Sequence, residues 1–483
     1  MNVSLLRFYL GNVLSSEALL MLLPFAVSVI YREPEKYIFL IVGAVLMLIG
    51  RLLAAHKPQR ARLEPRDGFF AVAMCWVALA LAGALPFYFS GYFASYIDCF
   101  FEAVSGFTTT GASILPAVEP LPRGILFWRS LMHWVGGMGV LVFVLALIPT
   151  MDGSSVQLMR AESPGPDPGK LSPRLRDTAQ SLYRIYLIMT VVTIGALVLT
   201  GMPVFDSLIH AMGAAGTGGF SCLNGSVGQY GNLASEVVLT IACFLFGVNF
   251  TLYYYVTKGK WRDAVGNLEF KVYTGVVLVA TALIALNTIG FYNGSIGQAL
   301  RHASFQVVTI ITTTGYSSTN FDLWPTFSKT ILMLLMLVGA CAGSTGGGMK
   351  VIRLTTLFKG LKQEVGRILH PRRVTRVRMD GNVVEEGVLR NILLFFFIYI
   401  VILFGACLVI AVDGFDFTTN MSACLSALGN IGPGLGAVGP MSNFSAYSGF
   451  SKLVLSFCML AGRLEIFPML MLFSPAMWRR RVL

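Results

Sequence analysis

Phe107-Thr108-Thr109-Thr110-Gly111-Ala112-Ser113 is a turn-forming stretch lodged between apolar segments, and the chain carries three further versions of it. In register they read Ala215-Gly216-Thr217-Gly218-Gly219-Phe220-Ser221, Ile311-Thr312-Thr313-Thr314-Gly315-Tyr316-Ser317 and Leu428-Gly429-Asn430-Ile431-Gly432-Pro433-Gly434. One glycine recurs in all four, at Gly111, Gly219, Gly315 and Gly432, with separations of 108, 96 and 117 residues. Such a spacing marks a repeated module with loop-length variation. Each stretch follows a segment too short to cross a bilayer, and its irregular backbone is tolerable at membrane depth only where it lines a cavity. A single Gly/Thr-rich loop would be an ordinary turn; four in register after four half-length segments argue for one shared pore.

Composition agrees. Of 483 residues, 55% are hydrophobic and 12% charged, with a mean hydropathy of +0.71, whereas soluble chains carry about 25% charged residues. Apolar runs such as Tyr37–Gly50, Val388–Val412 and Lys452–Phe473 approach or exceed the roughly 20 residues a spanning helix needs. The first run has Arg7 near its start and is read as a retained helix rather than a signal peptide, because no cleavage site and soluble domain follow it. Eight scattered cysteines without a CxxC pair, and five dispersed histidines, argue against a metal cluster.

The net charge of +12 sits in particular connections, which points away from nucleic acid and toward membrane topology. Lys57, Arg60, Arg62 and Arg66 lie in one loop, Arg160, Lys170, Arg174 and Arg176 in a second, and Lys258, Lys260 and Arg262 in a third. A fourth holds Lys359, Lys362, Arg367, Arg372, Arg373, Arg376 and Arg378, and a tail holds Arg479, Arg480 and Arg481. The positive-inside rule makes these cytoplasmic, with both termini inside and ten crossings. The expected fold is therefore an all-α polytopic membrane protein with an N-terminal helix pair (1–60) and four pseudo-symmetric pore repeats, 61–160, 161–262, 263–375 and 376–483. In each repeat a helix leads to a half-length pore segment, a Gly-rich loop and a returning helix. The returning helices are expected near 124–149, 235–257, 327–358 and 451–474, the third of them interrupted.

A cation leaving water must have its hydration shell replaced, and rings of backbone carbonyls do this without a fixed charge that would trap it. Glycine supplies the positive φ and the close approach such loops require. The C-terminal ends of the pore segments add partial negative charge toward the membrane centre. Asp98 and Asp206, each 13 residues before its glycine, are expected to cap the first two pore helices. His302 takes that offset in the third, and Asp416 lies 16 residues before Gly432.

On Thr-Thr-Thr-Gly-Ala, Gly-Gly-Phe-Ser, Thr-Thr-Gly-Tyr-Ser and Asn-Ile-Gly-Pro-Gly, the chain resembles the Trk/Ktr/HKT superfamily of potassium transporters, and within it the bacterial TrkH-type membrane subunits, over essentially its whole length. The resemblance implies potassium uptake across the bacterial inner membrane through a filter of Thr109, Thr110 and Gly111; Gly218 and Gly219; Thr313, Thr314 and Gly315; and Asn430, Ile431 and Gly432. Potassium is expected at Thr109, Thr110, Gly218, Thr313, Thr314, Asn430 and Ile431. A serine at the first-loop glycine is associated with sodium preference in the family, so Gly111 argues for potassium. A sodium-permeable or sodium-coupled transporter of the same architecture is the alternative. Channel-like conduction and symport with protons or sodium both stay open. The family further implies a homodimer, a cytosolic TrkA-type nucleotide-binding regulatory subunit as the means by which nucleotide acts, and no covalent cofactor. The basic loops suit either that partner or anionic lipid headgroups.

Two features are expected to gate the pore. Gly339-Ala340-Cys341-Ala342-Gly343-Ser344-Thr345-Gly346-Gly347-Gly348-Met349-Lys350 interrupts an apolar span, and each glycine destabilises a helix by about 1 kcal/mol relative to alanine. The family has a gating loop here, which assigns the role to Gly343, Ser344, Thr345, Gly346, Gly347 and Gly348. Arg463 lies near the middle of the last apolar run; an arginine at that depth costs roughly 2.5–3.5 kcal/mol and faces a pathway or a partner. Pairing with Glu465 is awkward, since residues two apart diverge on a helix, so Arg463 is expected below the filter as an electrostatic barrier. Gly434–Gly439 matches GxGxxG without a preceding strand, and Gly343–Lys350 only superficially resembles a phosphate-binding loop. With no nucleophile–base pair, a membrane enzyme is a distant alternative.

Overall fold

The computed structural model describes residues 3–55, 65–139, 175–370 and 376–475. The expected end of the first returning helix, 140–149, lies outside the described residues, as do most of the first two basic loops, Arg372, Arg373 and the Arg479–Arg481 tail.

The fold is that of an all-α polytopic membrane protein. Val3–Leu20 and Leu22–Ile30 form one apolar rod. It is interrupted near Met21 because Pro24 has no N–H to donate to the Leu20 carbonyl. It packs on Lys36–Ala54, completing the N-terminal pair. Four units follow, each with a leading helix, a pore helix and a trailing helix. Unit 1 has Pro65–Gly83 continuing as Leu85–Ser90, then Tyr96–Phe107 and Arg123–Gly137. Unit 2 has Leu175–Leu199, Val204–Gly216 and Leu233–Phe246. Unit 3 has Leu268–Thr288, Ile296–Ile311 and Thr326–Val338, and unit 4 has Glu386–Ile410, Phe417–Gly429 and Gly449–Arg463.

Leading helices leave Leu199, Leu286 and Leu408 mostly exposed, a surface suited to lipid rather than water. Among the described residues six helices are continuous, long and apolar enough to span. The trailing helices are not, because every one is broken or stops short. That of unit 2 bends by 90° after Phe246 and resumes as Phe250–Thr257. That of unit 3 breaks over residues 339–350 and resumes as Val351–Leu369. That of unit 4 breaks after Arg463 and resumes as Phe467–Leu472. The expectation of a break in unit 3 alone was too narrow. In unit 4 Pro468 has no N–H to donate to the Leu464 carbonyl, in unit 2 the bend falls at Gly247 and at Asn249, which caps the resumed helix, and tertiary bonds described below hold both.

The units close into a ring. Each trailing helix packs against the pore helix of the next unit: Arg123–Gly137 on Val204–Gly216, Leu233–Phe246 on Ile296–Ile311, Thr326–Val338 on Phe417–Gly429, and Gly449–Arg463 back on Tyr96–Phe107. One small departure from an all-helical chain is a hairpin in which Arg378 pairs with Val383 and Met379 with Asn382. Its Asp380-Gly381 turn has positive φ at both residues, the geometry that suits a two-residue hairpin. Asp380 accepts hydrogen bonds from Asn267 Nδ2 (3.0 Å) and Leu268 N (2.9 Å), tying the hairpin to the start of the unit 3 leading helix.

Candidate functional site: a ring of four turns

The capping expectations need correction first. Ser95 caps the first pore helix by accepting from Asp98 N, while Asp98 reaches Lys452 Nζ, 2.6 Å away in the unit 4 trailing helix. Pro203 precedes the second pore helix, and Asp206 accepts from Tyr230 Oη at 2.6 Å. Ser295 caps the third, leaving His302 hydrogen-bonded with Ser318 at 2.9 Å. Asp416, the one that broke the pattern, is a true cap, accepting from Thr419 N at 3.2 Å.

Each pore helix then delivers the chain to the same turn. Thr109, Thr217, Thr313 and Asn430 have positive φ (56°, 55°, 59° and 54°), and so do Gly111, Gly219, Gly315 and Gly432 two residues later (81°, 78°, 77° and 104°). The alternation places the intervening residue, Thr110, Gly218, Thr314 or Ile431, between two left-handed positions. Why the recurring residue is glycine follows from what a methyl group would strike. At Gly111 it would lie 1.9 Å from the Gly218 carbonyl oxygen, at Gly219 1.9 Å from that of Thr314, at Gly315 2.1 Å from that of Ile431, and at Gly432 2.8 Å from that of Thr110. Each glycine therefore abuts the carbonyl of the next unit in cyclic order, and the fourth closes on the first. The four turns thus form a closed ring in which a carbonyl oxygen of each unit lies against the glycine of its neighbour.

Every filter residue expected from sequence lies at this ring or directly below it. Thr217, omitted from the expected set, occupies the same turn position as Thr109, Thr313 and Asn430; the register of the loops was the available signal. The side chains differ by unit. Thr108 and Thr110 share a hydroxyl bond of 2.8 Å, repeated by Thr312 and Thr314 at 2.9 Å. Asn430 Nδ2 crosses from unit 4 to donate to Thr110 Oγ1 and to the Met459 carbonyl, both at 2.9 Å.

On one side the ring opens into a cavity of about 140 Å³ lined by the four glycines and Arg129. Arg129, which the sequence reading missed, is buried and donates to Glu102 (2.7 Å), while its guanidinium sits 4.0 Å above the Phe220 ring of loop 2. Glu102 also accepts from Ser113 Oγ (3.0 Å) and Ile114 N (3.1 Å), so one buried ion pair pins loops 1 and 2 together. His210 bonds Ser221 at 3.0 Å at the corresponding position of unit 2. Among the described residues no group of three His, Cys, Asp or Glu could hold a metal, and burial pushes the Cys222 thiol in the loop after the second turn up to about 12.

On the other side lies the segment between Val338 and Val351. Gly347 N donates to Thr313 Oγ1 at 2.6 Å, placing this loop directly under the ring. Thr345 Oγ1 donates to the Phe246 carbonyl at 3.2 Å, and Lys350 Nζ bonds the Gly346 carbonyl. Glu269, in the first turn of the unit 3 leading helix, accepts from Ala342 N (2.7 Å) and Ile352 N (3.1 Å) and so clamps both ends of the loop. Sequence reading missed it; an acid at the start of an apolar helix was the only hint. Arg463 is not mid-helix but is the last residue before the unit 4 break. Its guanidinium donates to the Thr345 carbonyl (2.9 Å), the Gly137 carbonyl (2.6 Å) and the Gly136 carbonyl. The latter two are terminal carbonyls of the unit 1 trailing helix, where cations are favoured. Glu465 pairs with Arg353, not Arg463, and Glu465 and Ile466 hold positive φ of 56° and 69°, a strained backbone for a β-branched residue.

A family model described as "TrkH: Cation transport protein" matches residues 36–262 and 264–480. The Trk system potassium uptake protein TrkH of Salmonella typhimurium is 36% identical over 469 residues, covering 95% of this chain and 96% of that protein. The protein of the same name from Vibrio parahaemolyticus is 34% identical over 481 residues, covering 97% and 98%. The crystal structure of the potassium transporter TrkH from Vibrio parahaemolyticus superposes with a TM-score of 0.89 at 31% identity, covering 99% of this chain and 100% of that one.

Proposed function

The chain belongs to the TrkH family of cation transport proteins, and on that premise we propose that it takes up potassium across a bacterial inner membrane through the opening between the four turns. The observation that carries this reading is the closed ring in which each of Gly111, Gly219, Gly315 and Gly432 abuts the next unit's carbonyl. The carbonyl oxygens of Thr110, Gly218, Thr314 and Ile431 serve as neutral ligands, and those of Thr109, Thr217, Thr313 and Asn430 form the next layer. Glycine at all four ring positions supports potassium over sodium, as do relatives named as potassium uptake proteins.

Below the ring, Gly343–Gly348 and Arg463 form the gate. An ion leaving the filter meets the loop at Gly347 and a fixed positive charge at Arg463, whose bonds to carbonyls of units 1 and 3 must be released for passage. Val351–Leu369 continues directly from this loop and carries Lys359, Lys362 and Arg367, a route by which a TrkA-type nucleotide-binding partner on the cytoplasmic side would move it. The remaining assignments follow from family membership and charge distribution: a homodimer, both termini cytoplasmic, and a division into an N-terminal helix pair and four pore repeats.

Expression in a potassium-uptake-deficient bacterium should rescue growth at low external potassium, with rubidium-isotope uptake competed by potassium and poorly by sodium. Robust sodium uptake without rescue would overturn the substrate. Uptake that persists with proton and sodium gradients clamped marks conduction, and uptake that needs either gradient marks symport.

A further inference from the structure

Loop 2 differs from its three partners at the ring carbonyl itself. Thr110, Thr314 and Ile431 occupy that position in units 1, 3 and 4, and each has a side chain that anchors it. The two threonine hydroxyls are bonded, and Ile431 packs over Gly429. Gly218 has no side chain, and glycine is the least constrained of residues. Its φ is not positive, so its own backbone would accept a Cβ.

What forbids one is His133 of the unit 1 trailing helix. A Cβ on Gly218 would lie 1.5 Å from His133 Nδ1 and 2.3 Å from both Cε1 and Cγ. The imidazole thus stands in the volume a loop 2 side chain would fill. It is fully buried, and Phe220 holds it edge to face with centroids 4.2 Å apart. Neither ring nitrogen has a hydrogen-bond partner among the described residues, an arrangement costly for a buried polar group. The His133 carbonyl also abuts Gly216, one turn below the ring.

We infer that His133 is a positioning residue for the filter: it supplies from unit 1 the side chain that unit 2 lacks and holds the Gly218 carbonyl in the ring. This rests on the proposed potassium pathway and deepens it. Without the imidazole, Gly218 is free to turn its carbonyl away, leaving three ligands where the ring needs four. Selectivity suffers before throughput does, because a ring with one mobile ligand still passes cations but discriminates among them poorly.

The test uses the full chain reconstituted in liposomes, with rubidium-isotope uptake measured against sodium competition. His133→Ala should lower the preference for rubidium over sodium by about tenfold, and His133→Gln, neutral and similar in reach, should keep most of it. Gly218→Thr alone should lose uptake or fail to fold. Combined with His133→Ala it should regain both, since loop 2 then carries the threonine of loops 1 and 3 and the space for it. The inference is overturned if folded His133→Ala keeps the wild-type preference, or if the double variant is no better than Gly218→Thr. If the wild-type chain itself fails to prefer rubidium, the potassium reading fails instead, whatever the variants do.

Discussion

At the ring, the four units repeat one backbone turn, with positive φ at Thr109 and Gly111 and at their three counterparts. One turn below, the trailing helices end in four different ways. Unit 1 offers terminal carbonyls at Gly136 and Gly137, unit 2 bends by 90°, unit 3 inserts the 339–350 loop, and unit 4 ends on Arg463. The proposed coordination of an ion requires four ligands at similar distances, which would keep the repeats alike. The proposed gate requires a loop, its clamp and a counter-charge, which four identical copies could not provide around one axis.

The sharpest way to break this comparison is at the ring. Gly111→Ala and Gly219→Ala each place a methyl 1.9 Å from a carbonyl oxygen, whereas Gly432→Ala meets its nearest atom at 2.8 Å. Overpacking of this kind costs about 1–3 kcal/mol, so rubidium uptake should fall by about tenfold or more in the first two and least in Gly432→Ala. Equal losses at all four would mean that clash at the carbonyls is not what sets the position. Next in size, Arg463→Ala removes the bonds to Thr345, Gly136 and Gly137 and should raise flux through the resting protein. Arg463→Lys should fall between, because an ammonium cannot fork to three carbonyls from two nitrogens. Unchanged flux in Arg463→Ala, or on deletion of Thr345–Gly348, would remove the gate from this place.

Glu269→Ala should act below the ring and spare it. It orphans the Ala342 and Ile352 N–H groups, at about 1–3 kcal/mol each, so thermal stability should drop and resting leak rise while the potassium-to-sodium ratio holds. A changed ratio would join the two layers that the comparison separates. The smallest effect is expected at Asp416→Ala, the loss of a helix cap worth about 1 kcal/mol. Hydrogen bonds, first from the Thr419 hydroxyl, hold the Asp416 carboxyl below the ordinary aspartate range. The cap's contribution is therefore complete above the unfolded aspartate pKa and fades as pH falls through the lowered folded value. Melting curves of wild type and Asp416→Ala should converge in acid.

The same division governs what the sequence made legible. The ring of turns was readable because its constraint is local: a glycine two residues after a left-handed turn recurs in register, and even Thr217, left out of the expected set, stood in that register. The 339–350 loop was readable from its glycines. The break after Arg463 and the bend after Phe246 had local signals too: Pro468, which has no N–H to donate to the Leu464 carbonyl, and Gly247 with Asn249, which caps the resumed helix. What was not legible is how the unit 4 break is held, by Arg353–Glu465 and by the Arg463 bonds, whose partners lie about a hundred residues or more away. Asp98 was misread for a similar reason: a local rule made it a cap, while Lys452, distant in sequence, gives it another partner.

The most direct measurement is anomalous scattering from crystals of this protein grown with thallium(I) or rubidium in place of potassium. A peak on the axis enclosed by the carbonyl oxygens of Thr110, Gly218, Thr314 and Ile431 is the predicted result. Crystals of transport-competent protein with no peak there, or with the ion held by side chains elsewhere, would contradict it.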